Sequence, residues 1–208
     1  MTSGALGILT LAFLVIAVSF MLTRKTESAG FVDLMFKTHH VGVILQSLFM
    51  IPVAIALNAL ARQQLPAVNR ATPALGVVSL SLIVLCALLW FANVVADDVY
   101  TVPQGALGVW LMVVNRRLSS VLPRNLTRFG AVVGFGLLLV GTFPLAYGIF
   151  VDPIALYGPV PPDYPNPPFT TANSIIHGVF LVGTLLGVIT YPIWTMMLGR
   201  RLLRARGF

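Results

Sequence analysis

FGAVVGFGLLLVGTFPLAYGIF, residues Phe129 to Phe150, runs without one charged residue. At the helical rise of about 1.5 Å per residue it is long enough to cross a hydrocarbon layer about 30 Å thick. A backbone in lipid must satisfy its own N–H and C=O groups, so the stretch reads as a membrane-spanning helix. Working outward, Arg124 and Arg128 precede it, and a proline-rich segment, VDPIALYGPVPPDYPNPPFTTAN (Val151 to Asn173), follows. Such a segment is non-helical and largely extended. It reads as an outer loop able to cap that face or dock against a partner, with Tyr157, Tyr164 and Phe169 as its aromatic contacts.

The same pattern organises the rest of the chain. Its composition is 58% hydrophobic and 9% charged, with mean hydropathy +0.94, well outside the balance of a soluble domain. Six spans are expected, at residues 5–22, 40–61, 73–96, 99–115, 129–150 and 174–198, giving an all-α, polytopic transmembrane helix bundle in a single domain, 1–208. The fourth is short, about 26 Å at the helical rise, and carries Pro103 and Gln104. The alternative is therefore five spans plus a re-entrant segment. Between the first two spans, Phe31, Leu34 and Met35 fall at helical spacing, which suits either a short interfacial helix over Thr26 to Thr38 or an ordinary linker. The N-terminal run lacks the basic n-region and cleavage site of a secretory signal and is read as the first span.

Basic residues set orientation. With six spans and the N-terminus inside, ten of the thirteen Lys and Arg residues lie on the cytoplasmic side: Arg62 and Arg70, the group from Arg116 to Arg128, and the C-terminal group from Arg200 to Arg206. Arg24, Lys25 and Lys37 fall outside. Five spans with the N-terminus outside do slightly better by that count, but six spans place every acidic residue on the outer side. Both arrangements keep the C-terminus cytoplasmic, in a multi-pass protein of the cell inner membrane. The net charge of +7 is thus topological and faces anionic lipid headgroups; no basic stripe interleaved with exposed aromatics suggests nucleic acid.

Chemistry-bearing residues are few. Cys86, the single cysteine, excludes an intramolecular disulfide and reads as a core residue. His39, His40 and His177 fall near the outer ends of their helices in the six-span arrangement, as do Asp97, Asp98 and Asp152. His39 or His40 opposite His177 could ligate haem iron or the metal of a chlorophyll-type pigment, and imidazole with carboxylates could hold a hard or borderline metal. No H-x-x-x-H or H-E-x-x-H spacing accompanies them, and with five spans His177 lies on the opposite face. Gln46, Asn58, Ser79, Ser81, Asn93 and Asn115 are explained by interhelical hydrogen bonds. Trp90, Trp110 and Trp194, at or near span ends, read as interface anchors. Gly130 with Gly134, and Gly183 with Gly187, are small-xxx-small pairs that let helices five and six approach closely. Pro144 and Pro192 are expected to kink their helices.

LGVWLMVVNRRLSSVLPRNLTRFGAVVGFGLLLVG (Leu107 to Gly141) and TYPIWTMMLGRRLLR (Thr190 to Arg204) together resemble bacterial six-helix integral membrane families of unknown function. Their shared features are a Trp-containing span, a basic inner loop with Leu-Pro-Arg, and a Gly-rich span. The resemblance implies six helices and a bacterial inner membrane, and carries over no catalytic residue. With no nucleophile constellation, no mid-membrane charge and no ligand motif, the sequence points to a non-catalytic accessory or scaffold subunit packed beside other membrane subunits. A haem- or pigment-binding protein is the alternative from another class. A small transporter or channel is the third reading, and would need a polar path between helices.

Overall fold

The computed structural model describes residues 2–23, 29–64, 71–153, 165, 167 and 170–205. Among them every regular element is helical: α1 (Thr2–Thr23), α2 (Ala29–Gln64), α3 (Ala71–Phe91), α4 (Thr101–Arg117), α5 (Arg124–Phe150), α6 (Thr171–Gly183) and α7 (Thr190–Ala205). A π turn, Thr184–Val188, joins α6 to α7 in one rod, and a 3-10 turn, Asp97–Tyr100, leads into α4. Four stretches are long and apolar enough to cross a membrane: Asp33–Arg62, Ala74–Phe91, Arg124–Phe150 and Thr171–Leu202.

Most helix ends have a local chemical cause. After Phe91, Asn93 takes a left-handed conformation at φ 55°, which asparagine tolerates better than most side chains. Its N–H reaches the Trp90 carbonyl and the next one, Val94, reaches Leu89, the capping pattern of a Schellman motif. Asn93 is thus a helix cap, not an interhelical bridge. Pro123 precedes α5 and its carbonyl accepts from the Leu126 and Thr127 amides. Thr170 caps α6, its side chain accepting from the Asn173 amide at 3.2 Å. In α7, the ring of Pro192 would meet the Val188 carbonyl in an ideal helix, and the ladder widens into the π turn that ends at Val188.

From α1 through α5 to the α6–α7 rod, successive helices run antiparallel. Gly7 of α1 lies by Gln46 of α2, and Gly4 lies by Thr195 of α7. His40 of α2 stacks on Trp90 of α3 with ring centroids 3.8 Å apart. Along α4 and α5 the backbones nearly touch: a Cβ on Gly141 would sit 2.5 Å from the Gly105 nitrogen, and one on Gly134 2.6 Å from the Gly108 oxygen. Helix α4 is the enclosed member, burying Leu107, Trp110, Leu111 and Val114 among its neighbours.

Several boundaries and packing roles differ from the sequence expectation. The stretch read as an interfacial helix or linker is continuous with the second span, because α2 runs unbroken from Ala29; Thr26 to Ser28 lie outside the described residues. Third-span residues 92–96 form the cap and turn. Gly130 and Gly134 meet Asn115, Leu111 and Gly108 of α4, and it is Gly136 of α5 that lies against Gly187. Trp110 and Trp194 are fully buried in the core, not at an interface, since neighbouring helices cover the faces that carry them. Most of the proline-rich segment 151–173, including Tyr157, Tyr164 and Phe169, lies outside the described residues, and its last three residues already belong to α6.

Candidate functional site

Between the helices lies a cavity of about 110 Å³, lined by residues from α1 through α7. Residues on one face of a helix recur at three- and four-residue intervals, and His39, Val43, Gln46 and Ser47 present such a face of α2 to it. Thr101, Gln104 and Leu107 do so from α4, and Thr184, Val188 and Tyr191 from the π turn and α7. Gly7 and Thr10 supply the α1 wall. Gly7 is needed there: a Cβ at that position would fall 2.5 Å from the Gln46 amide nitrogen and 2.6 Å from Pro192 Cγ. None of the described lining residues is an acid, a lysine or an arginine.

The polar groups of the wall divide by what they have left to offer. Thr10 donates its hydroxyl to the Leu6 carbonyl at 2.7 Å, Thr101 to Asp98 at 2.6 Å and Thr184 to Phe180 at 2.9 Å. Their donors are spent on local backbone, and their lone pairs remain as acceptors. His39 is buried, and its Nδ1 bonds the Thr10 carbonyl at 3.2 Å. A carbonyl only accepts, so that bond assigns the proton to Nδ1 and the lone pair of the neutral ring to Nε2. Gln46 and Tyr191 are different. They keep only 9% and 8% of their surface exposed, and the Gln46 Nε2 and Tyr191 hydroxyl have no hydrogen-bond partner.

Of the three histidines, only His39 faces this cavity. His40, next along α2, bonds the Phe36 carbonyl through Nδ1 at 2.9 Å and packs among Trp90, Phe91 and Tyr100. The two imidazoles stand edge to face with centroids 5.5 Å apart. His177 lies elsewhere, exposed on α6, with its ring against Phe143 and Tyr147 and its Nδ1 on the Asn173 carbonyl. Among the described residues no three His, Cys, Asp or Glu side chains gather. Gln46 is visible in the sequence as an intramembrane polar residue on the His39 face, whereas Tyr191 gives no signal beyond its place beside Pro192. Compared with known proteins, the chain matches no family model, no curated protein and no solved structure.

Proposed function

We propose that this chain is a six-span integral membrane protein that holds a small molecule between its helices. It sits in the inner membrane with its C-terminus cytoplasmic. The observation that carries the ligand-binding reading is the cavity itself: a mostly apolar space between the helices, furnished with a few polar side chains, to which all seven helical segments contribute. Small-molecule sites are concave, mostly apolar and furnished with a few placed polar groups. The accessory or scaffold role expected from the sequence stays as the alternative, since the described cavity wall carries no acid, lysine or arginine; the cavity is what favours a carrier or receptor over it. Its volume suits a compact molecule, given that an engineered apolar cavity of about 150 Å³ takes up benzene. A haem or chlorophyll-type ring is much larger than this space. The six spans are supported by the strict alternation of helix direction, with α1 and α4 added to the four long apolar stretches. Anionic lipid headgroups are the proposed neighbours of the arginines at one end.

The test is extraction of the protein in lipid nanodiscs, followed by release and mass analysis of bound small molecules. A species near one per chain is expected, lost when Val43→Phe fills the cavity from α2. A wild-type preparation that releases nothing and takes up no small neutral solute would overturn the reading, and co-purifying membrane subunits would then return the protein to the accessory role.

A further inference from the structure

We propose that the cavity opens sideways, through the seam between α1 and α6, and holds the end of a hydrocarbon chain of a bilayer lipid. This rests on the ligand-binding reading above and names its ligand. The helices form a ring in which each packs along the next: α1 on α2, α2 on α3, α3 on α4, α4 on α5, and α5 on α6, the π turn and α7. The ring closes where α1 meets the α6–α7 rod, and among the described residues α1 packs on α7 but has no comparable packing on α6. Gly4 lies by Thr195 and Gly7 by Pro192. Continued in that antiparallel register, Leu11 comes about level with Val188, and Val15 with Thr184. Gly4, Leu11 and Val15 share one stripe of α1, and cover is lost along it: Gly4 is buried, Leu11 half-buried and Val15 62% exposed.

The exposure of the wall marks the same opening. Val43, Leu80, Ile83 and Leu137, which line the cavity from α2, α3 and α5, are buried, whereas Leu11 of α1 and Phe180, Thr184 and Val188 of the rod line it and keep part of their surface open. The other half-buried lining residues, Tyr100 and Gln104, stand at the start of α4, across the ring from the seam. Apolar side chains left outward at this depth face lipid, so what reaches the rim is hydrocarbon. The wall suits it. No described wall residue is an acid, a lysine or an arginine, the threonines donate to their own helices, and the Gln46 amide nitrogen and Tyr191 hydroxyl are enclosed by protein atoms. The cavity of about 110 Å³ takes about four carbons, scaled from the roughly 150 Å³ that accommodate benzene. A chain end of that length supplies the contacts that a void forfeits, while the rest of the lipid stays in the bilayer outside the seam.

The experiment uses the full chain in phosphatidylcholine nanodiscs that contain a phosphatidylcholine with a diazirine near the end of one acyl chain. Irradiation attaches that chain to whatever it touches, and peptide mass analysis maps the attachment sites. On α3, the outward Leu82 and Leu85 report lipid contact in general, and the cavity-lining Leu80 and Ile83 report entry. Attachment at both pairs is expected in wild type. Val15→Trp and, separately, Leu11→Trp obstruct the seam, and each is expected to abolish attachment at Leu80 and Ile83 while leaving Leu82 and Leu85 unchanged. Val43→Phe, which fills the cavity, is expected to do the same. Xenon, which enters small apolar cavities, measures the cavity independently by its NMR signal. Saturable xenon uptake that Val43→Phe removes, with the inner pair unlabelled in wild type or its labelling untouched by both seam substitutions, would overturn the lipid-chain assignment and leave the cavity reading intact. Neither saturable xenon uptake nor inner-pair labelling in wild type would overturn both.

Discussion

Trp110 carries its indole into the middle of the bundle with none of its surface exposed, and its Nε1 donates to Asn58 Oδ1 of α2 at 3.2 Å. The ring also fills the space beside Gly76 of α3, so one side chain ties α4 to two neighbours. Polar contacts between helices in membranes are weaker than a dry interior suggests, averaging about 0.6 kcal/mol in double-mutant cycles. Trp110→Phe with Asn58→Leu should therefore show a coupling of about that size, read as unfolding in a detergent titration. A coupling near zero would mean that packing alone, and not the hydrogen bond, fixes the pair. At this scale the sequence was legible by residue type and not by partner. His39 stands out because imidazole is rare in an apolar run. Gln46 looks like any interhelical polar group until burial shows that its amide nitrogen has none of the partners such groups normally find.

Between elements, close approach is governed by which glycine row faces which helix. In α5 two rows are interleaved: Gly130, Gly134 and Gly141 lie against α4, while Gly136 lies against Gly183 and Gly187. At Gly134 and Gly141 a side chain would meet the α4 backbone, which cannot swing aside, so the helices must part, whereas at Gly130 it would meet the Asn115 side chain. Gly141→Ala should destabilise the bundle by about 1–3 kcal/mol, the range for overpacking. Gly178→Ala, where nothing lies within 4 Å, should be neutral or slightly stabilising through helix propensity. Thermal unfolding in the same detergent compares the two, and equal midpoints would show that the α4–α5 seam is loose. Sequence spacing revealed that α5 carries close-packing rows, but assigning a row to a neighbour needs the helix's rotation, and nothing in the spacing 130, 134, 136, 141 fixes that. The same limit explains α4. Its Pro103 and Gln104 looked like marks of a marginal span, yet a helix buried by its neighbours need not present an unbroken apolar face to lipid.

For the molecule as a whole, the alternating helix directions sort the charges by end. The ends of α2, α4, α5 and α7 that bear Arg62, Arg116, Arg117, Arg124, Arg128, Arg200 and Arg201 share one side of the bundle. Asp98 and Asp152 lie at the other, as does the Asp33–Lys37 ion pair at 2.7 Å. Between the ends, large apolar side chains stay exposed on the outward faces: Val78, Leu82 and Leu85 on α3, Phe135 and Ile149 on α5, Ile175 and Leu181 on α6. A girdle of that extent suits lipid, not water. Because basic flanks are retained on the cytoplasmic side, a fluorescent protein fused after Phe208 should glow and an alkaline phosphatase there should stay inactive. The N-terminus decides the span count. Since α1 begins on the same side as α7 ends when every helix crosses, a tag before Met1 should be protected from protease added outside intact cells. Cleavage of that tag, with the C-terminal fusion still fluorescent, would mean an odd number of crossings. One of the two elements outside the four long apolar stretches, α1 or α4, would then lie within one leaflet, and the cavity wall it supplies through Gly7 and Thr10 or through Thr101 and Gln104 would open toward the membrane surface.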